Sequence, residues 1–455
     1  MLPTKIALAR AAGALSRRSG RGATSLPGKL LMRMEPRAIE RLSSRLPDGS
    51  AVISATNGKT TTAAMVAAIL ERRGTRLVHN RAGANMSGGV ATALLDAARG
   101  DGIDGDAGLF EVDEFWLDRV VTQVRPRALL LANLFRDQLD RYGELETIAE
   151  RWAATVAAAP HAQLVLNADD PLVADLGRER TGEAGLTYFG IQDDAVALRG
   201  LAHASDSKHC RRCGAPYVYD AIYMGHLGRY HCPNGDARRP EPDVSAHAIA
   251  LDGTRGARFE LLVGDGRAEV ALPLPGLYNV YNALAAAALA RALGVALADI
   301  VAGLQATKAA FGRAETVRIG GRDLAILLVK NPAGANEVLR TLALDDGEHD
   351  VLAVLNDRTA DGRDVSWVWD ADFEVIAGRV RRVTCSGTRA AELALRLKYA
   401  GVPSDRLHVV PALDRGLDAA LDDGAGRLVA LPTYTAMLAL RELLVKRGAA
   451  RGSFG

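Results

Sequence analysis

The chain has 455 residues, 48% of them hydrophobic and only 5% aromatic; that is room for two or three cored domains, and an Ala- and Gly-rich balance suits α/β layers better than an all-β fold. A formal net charge of +2 gives no global basic field and so argues against nucleic acid as a partner. Four cysteines are too few for a disulfide scaffold, and no apolar run is long enough to span a bilayer, so the chain reads as cytoplasmic.

From Met1 to Met34 the chain carries Lys5, Arg10, Arg17, Arg18, Arg21, Lys29 and Arg33, with no acid before Glu35. Leu and Ala recur there at helical spacing, which predicts a basic helical segment over 1–48, lying on the protein or near anionic lipid. The same acid-poor character also fits a transit peptide.

After the turn Pro47-Asp48-Gly49, the apolar run Ala51–Ile53 predicts a buried strand. It leads into Thr56-Asn57-Gly58-Lys59-Thr60-Thr61-Thr62 and then an Ala-rich helix through Leu70. Strands are expected at Gly108–Val112, Ala128–Asn133 and Gln163–Asn167, each followed by a helix, so the sheet should be mostly parallel with its chemistry at the carboxyl edge. Ser205–Val244 breaks the pattern with Cys, Gly, Tyr and Pro and reads as a small insertion. The α/β pattern resumes near Ala271, with Pro273-Leu274-Pro275-Gly276 before a long Ala-rich helix. Beyond Gly312, strands are expected at Leu324–Val329, Val351–Leu355, Arg382–Ser386 and Leu428–Pro432. The domains expected are thus 49–312, with the insertion 205–244, and 313–455.

The Thr56–Thr62 segment has the chemistry of a phosphate loop. Gly58 lets backbone N–H groups approach phosphate at a helix N-terminus, Lys59 neutralises terminal phosphates, and the Thr60 hydroxyl suits Mg²⁺. A strict form would have glycine where Ile53 stands, and a chance Gly-Lys-Thr in a turn is the alternative. Downstream, Glu111-Val112-Asp113-Glu114 ends a strand with three carboxylates. Strand alternation puts Glu111 and Asp113 on one face, and Glu111 is the expected Mg²⁺ ligand; a solvated acidic loop is the alternative. Cys210-x-x-Cys213 with Cys232 has the spacing of a zinc ribbon. Cys232-Pro233-Asn234-Gly235 lacks the usual fourth ligand, which leaves His231, His226, His209 or Asp236 to substitute, or a ribbon that folds without metal. Cys385 reads as unrelated, in a strand-end turn.

Several segments, in order, resemble the Mur ligase family of ATP-dependent peptide ligases. Thr56–Thr62 resembles its phosphate loop, with Ala55 in place of a glycine. Asn133-Leu-Phe-Arg-Asp137-Gln138-Leu-Asp140-Arg-Tyr142-Gly143 resembles its Asn…Asp-His-x-Asp-x-His-Gly stretch, with Gln138 and Tyr142 replacing histidines. Asn167-Ala-Asp169-Asp170-Pro171 matches another turn of the family. Gly276-Leu-Tyr278-Asn279-Val-Tyr-Asn282-Ala283 resembles a segment whose asparagines lie near the nucleotide, and Gly312-Arg313-Ala314-Glu315 one whose arginine approaches ATP phosphates. The resemblance implies a Mur-ligase-type ATPase domain on a central parallel sheet, a Cys-rich ribbon insertion and a C-terminal α/β domain. It further implies that Thr56, Asn57, Gly58, Lys59, Thr60, Thr61, Asn279, Asn282 and Arg313 bind ATP with Mg²⁺.

The departures are as telling. The family's Asp-x-Ala-His-Asn-Pro segment, which helps to position an incoming amino acid, stands here as Leu328-Val329-Lys330-Asn331-Pro332. Lys330–Gly334 and the string Asn356-Asp357-x-x-Ala360-Asp361-Gly362-Arg363-Asp364-Val365-Ser366-Trp367 instead resemble a MurT-like branch of the family. That branch phosphorylates the α-carboxyl of D-glutamate in lipid II and amidates it with ammonia from a separate class I glutaminase. The resemblance implies a heterodimer working on lipid II, in the cytoplasm or at the inner membrane face; the cysteine module at Cys210, Cys213 and Cys232 fits the branch too, and any Zn²⁺ it holds is structural. It also implies that Asp364 reaches across the interface to orient the histidine of the glutaminase's Cys–His pair; a loop aspartate capping a turn is the alternative. The rival functions are an amino-acid-adding Mur or folylpolyglutamate-type ligase, and a non-catalytic nucleotide-binding regulator of a glutaminase.

Overall fold

The computed structural model describes residues 2–18, 25–80, 84–137, 145–178, 180, 184–201, 205–308, 315–422 and 427–450. Every residue of the strand Ser50–Ser54 is buried, and so is every residue of Ala128–Leu131. Such short, continuously apolar runs are stable only when both sheet faces are covered, which favours helices on either side. Nine strands form the sheet. In space they run Gly266–Leu272, Ala257–Val263, Val244–Leu251, Leu186–Ile191, Gln163–Asn167, Ala128–Leu131, Ser50–Ser54, Ala107–Glu111 and Leu77–His79. Pairing is parallel from Leu77–His79 through Val244–Leu251. The last two strands pair antiparallel, so the central sheet is mixed, mostly parallel as expected but with an antiparallel edge. The cause is local: tight turns with Gly253 and Gly264 at positive φ join these strands directly, and no crossover helix intervenes.

One face is covered by the helices Lys59–Arg72, Leu277–Ala292 and Leu297–Gln305. The run of alanines Ala285–Ala288 is buried, and small side chains let Leu277–Ala292 sit close both to the strands and to Lys59–Arg72. The other face carries Ser87–Ala97, Leu117–Val124 and Leu145–Ala158, with fully buried Trp152 among them.

The N-terminal segment forms the helices Leu2–Arg18, Leu26–Met34 and Ala38–Ser43, which pack on this second face through Leu2, Ile6, Leu31 and Ile39. Arg10 donates from Nη2 to the Leu95 carbonyl at 2.6 Å, where a helix end leaves acceptors unmet. Gly28 touches Ser87–Ala97 so closely that a Cβ would lie 2.1 Å from the Gly88 carbonyl oxygen. Its N–H donates to Thr92 Oγ1 at 3.0 Å.

Residues 205–243 leave the sheet as an antiparallel hairpin, Val218–Met224 with Leu227–His231, flanked by two cysteine-bearing turns. Beyond residue 314 a second, six-stranded sheet runs Glu315–Ile319, Arg322–Ile326, Leu428–Pro432, His349–Val354, Val380–Ser386 and Leu407–Val409. It is parallel except for its first hairpin and has helices on both faces. The strand expected at Leu324–Val329 is regular over Arg322–Ile326, and Leu327 and Val329 continue to donate to the Ala430 and Pro432 carbonyls before Lys330 reaches the phosphate loop. No helix among the described residues is long and apolar enough to cross a membrane.

Because the Gly28 contact is backbone to backbone, Gly28→Ala should loosen the first two helices by about 1–3 kcal/mol. Amide hydrogen exchange over 2–18 and 26–34 should accelerate accordingly; unchanged protection there would contradict this packing.

Candidate functional site

Three adjacent parallel strands end at one point. Ser50–Ser54 runs into the phosphate loop, Ala107–Glu111 ends on Glu111, and Ala128–Leu131 leads to Asn133. Loops at the carboxyl edge of a parallel sheet are the expected home of a ligand. The loop is held on one side by Asn133: Thr56 N–H donates to the Asn133 carbonyl, Asn57 N–H to Asn133 Oδ1 at 2.9 Å, and Asn133 Nδ2 back to the Asn57 carbonyl at 3.0 Å. Asn80 does the same for Glu111, accepting its N–H at 2.9 Å and donating to its carbonyl at 2.7 Å.

Gly58 sits at φ +88°, and a Cβ there would come within 2.0 Å of Asn282 Oδ1. Asn282 is fixed in turn: Thr62 Oγ1 donates to its Oδ1 at 3.3 Å and its Nδ2 donates to Asn279 Oδ1 at 3.0 Å. Asn282 therefore meets the phosphate loop, and Asn279 supports it from behind. Thr60 Oγ1 donates to Glu111 Oε2 at 2.8 Å, which brings together the pair expected to hold Mg²⁺. Arg313, with the rest of 309–314, and Gln138, Asp140 and Tyr142 of the family-like stretch lie outside the described residues.

Sequence reasoning missed the partner of Lys59. Its Nζ donates to Glu114 Oε2 at 2.8 Å and to the Ala55 carbonyl, and lysine and glutamate are both nearly buried. Burial works against the Lys59 charge, but Glu114 and Asp113 outweigh it and hold the ammonium above the usual lysine range. Glu114 resists its own burial through Lys59 and is held below the ordinary carboxylate range. For Asp113, burial and then repulsion from Glu114 dominate and push its carboxyl up. The signal was available: a phosphate-loop lysine lying among three clustered acids needs a counter-charge.

The C-terminal sheet closes the site. Asn331 Nδ2 donates to Asn57 Oδ1 at 3.1 Å, and Lys330 Nζ bonds to the Thr56 carbonyl oxygen at 3.1 Å and to Asp137 Oδ2 at 2.5 Å. Asn331 also caps the helix Pro332–Ala343 by accepting Gly334 N–H at 2.9 Å, so this segment is firmly placed. Between the two sheets lies a cleft of about 440 Å³. Its polar end holds Gly58, Lys59, Thr61, Glu111 and Asn282, and its wall continues past Tyr278, Leu274 and Val338 to Thr359, Ala360 and Tyr434.

Asp364 stands four residues beyond Ala360, exposed and outside this cleft. Its Oδ1 accepts Ser366 N–H at 2.8 Å, and that bond holds the carboxyl below its ordinary range. The turn-capping role therefore exists in the structure, and the side chain still faces outward. Cys385 is buried in Val380–Ser386, and burial pushes its thiol up to about 12, far from a nucleophile's thiolate.

In the insertion, the ligand atoms of Cys210, Cys213, Cys232 and Asp236 lie within 4.8 Å of one another. Two similar turns build this cluster. Cys210 N–H donates to the Ala215 carbonyl across Gly214 at φ +73°, and Cys232 N–H to the Ala237 carbonyl across Gly235 at φ +79°. The second turn has glycine where the first has Cys213, and Asp236, one residue on, brings its carboxylate instead. The histidines lie elsewhere: His226 is buried against Phe135 and Asp170, and His231 lies near Asp220.

Residues 53–235 match the Mur ligase middle domain, and residues 328–437 match the MurT ligase C-terminal domain. The chain is 33% identical over 431 residues to the MurT subunit of the glutamine-hydrolysing lipid II isoglutaminyl synthase of Streptococcus pneumoniae, covering 94% of each. It is 32% identical to the same subunit of Staphylococcus aureus over 97% of each chain. Among solved structures, a pseudomurein peptide ligase type C from Methanothermus fervidus superposes with a TM-score of 0.68 at 23% identity, over 89% of this chain and 80% of that one, a likeness of fold.

Gly58→Ala should place a methyl group against Asn282 in a backbone region costly to L-residues, and weaken Mg-ATP binding by roughly tenfold or more. Titration calorimetry measures it; unaltered affinity would contradict the phosphate-loop geometry.

Proposed function

The chain belongs to the MurT subunits of lipid II isoglutaminyl synthase, within the Mur ligase family, and from that premise we propose that it uses ATP to activate the α-carboxyl of D-glutamate in lipid II for amidation to D-isoglutamine. The observation that carries this reading is the meeting of Gly58, Lys59 and Glu111 with Lys330 in one cleft between two sheets, with Thr60 bonded to Glu111 and Asn331 to Asn57. Phosphoryl transfer needs little covalent help from a protein; it needs positioning and compensation of charge. The backbone N–H groups after Gly58 point at bound phosphate, and the Lys59 ammonium exchanges Glu114 for a phosphate oxygen. Thr60 and Glu111 are hard oxygen donors of the kind magnesium takes, so they would hold the ion, which would supply positive charge to offset that of the phosphates. Transfer to the carboxylate makes an acyl phosphate, whose phosphate leaves far more readily than oxide or hydroxide would.

Ammonia completes the reaction, and at neutral pH it is mostly ammonium, which has no lone pair to attack with. A glutaminase partner that delivers NH₃ removes that obstacle. In this reading exposed Asp364, at the C-terminal sheet, orients the imidazole of the partner's Cys–His pair, and its bond to Ser366 N–H fixes the direction it presents. A lipid-linked acceptor puts the work at the inner membrane face. The insertion holds zinc through Cys210, Cys213, Cys232 and Asp236: three soft thiolates and one carboxylate suit a closed tetrahedral site whose role is structural.

Two outcomes are expected. Asp364→Asn keeps the turn but removes the negative charge, so glutamine hydrolysis by the assembled pair should fall about 10²–10⁴-fold; an undiminished rate would reject the role in trans. Purified protein should carry about one zinc per chain, lost in Cys213→Ser, and metal analysis that finds none would reject the zinc site.

A further inference from the structure

Two ammonium groups converge on one backbone oxygen in the cleft. Lys59 Nζ lies 3.5 Å from the Thr56 carbonyl oxygen, and Lys330 Nζ lies 3.1 Å from the same atom. The two nitrogens are therefore no farther apart than the sum of those distances. A phosphoryl group, with several anionic oxygens around one centre, can be gripped by both. Each nitrogen already holds an anionic oxygen: Glu114 Oε2 at 2.8 Å from Lys59 and Asp137 Oδ2 at 2.5 Å from Lys330. These carboxylates mark anion positions beside the phosphate loop.

The two cations come from different sheets. Lys59 opens the helix after Ser50–Ser54, whereas Lys330 follows Arg322–Ile326 of the C-terminal sheet. Lys330 is not loosely aimed, because its neighbour Asn331 caps one helix and pairs with Asn57. Nor does the sequence place an amino-acid-recognising group at this point; Lys330 stands in the segment where amino-acid-adding Mur ligases carry Asp-x-Ala-His-Asn-Pro. A compact point charge suits stabilisation of developing negative charge rather than recognition of a shaped nucleophile.

Resting on the function proposed above, we infer that Lys330 is a catalytic residue whose ammonium contacts the transferring γ-phosphoryl group together with Lys59. In that step the bond from the γ-phosphorus to the bridging oxygen breaks, and ADP leaves with the electron pair. A new bond forms between phosphorus and an oxygen of the acceptor carboxylate. No proton moves, and Lys330 stays charged throughout. Because the cation belongs to the C-terminal sheet, transfer proceeds only while that sheet is seated on the phosphate loop.

The test uses the assembled pair with lipid II, Mg-ATP and hydroxylamine but no glutamine, so that hydroxylamine captures acyl phosphate as a hydroxamate without glutamine hydrolysis. Lys330→Met should slow lipid II-dependent hydroxamate formation about 10²-fold. It should leave ADP affinity within about twofold and reduce the preference for ATP over ADP. Lys330→Arg should recover part of the rate. A Lys330→Met protein with the wild-type rate overturns the inference. So does an equal loss of ADP and ATP affinity with a lower melting temperature, which marks a latch between the sheets. A raised KM for lipid II with undiminished turnover at saturation also overturns it, since that marks a contact with the acceptor. If the unaltered pair makes no hydroxamate from lipid II, the function proposed above fails instead.

Discussion

The Asn282 amide oxygen sits where a side chain on Gly58 would have to go, and the site is organised around that contact. It permits only glycine at the turn between strand and helix, and glycine is the residue that accepts the turn's positive φ without strain. The contact also fixes the distance between two helices on one face of the central sheet, Lys59–Arg72 and Leu277–Ala292. The alanines of the latter allow that approach, so the packing of an apolar layer sets where a phosphate-binding backbone points.

Charge is arranged in opposition around this frame. Lys59 and Lys330 would be costly to bury alone, and each has a carboxylate within bonding distance. Asn133 and Asn80 hold the loops by reciprocal backbone bonds, which spend no charge and leave the ionised groups for a ligand. The cleft needs both sheets, since one supplies the phosphate loop and acids while the other supplies Lys330 and the wall at Thr359 and Ala360. The loop that forms this wall reaches the surface within a few residues, at exposed Asp364.

Much of this was legible in the sequence. The strands Ser50–Ser54 and Gln163–Asn167 show as short apolar runs between turn signals, and Gly58-Lys59-Thr60 announces its chemistry by composition and order. Glu111 was marked by its place at a strand end. The antiparallel edge was not legible, because a hairpin and a crossover differ in connection length rather than in strand character. Glu114 was seen as one acid of three, and which acid turns to Lys59 depends on loop geometry that alternation does not reach beyond the strand. Asp236 could not be separated from the nearby histidines, since one residue of offset in a glycine turn decides which side chain meets the thiols. Lys330 stood out as a departure from a family pattern, but its convergence with Lys59 on Thr56 is a fact of tertiary structure alone.

The most direct measurement is the fate of the glutamate α-carboxyl of lipid II in a reconstituted mixture of this chain, its glutaminase partner, Mg-ATP and glutamine. Mass spectrometry of the released muropeptide should show conversion to the α-amide, with both ATP and glutamine required. Glutamine and ATP consumed while that carboxyl stays free would contradict the account.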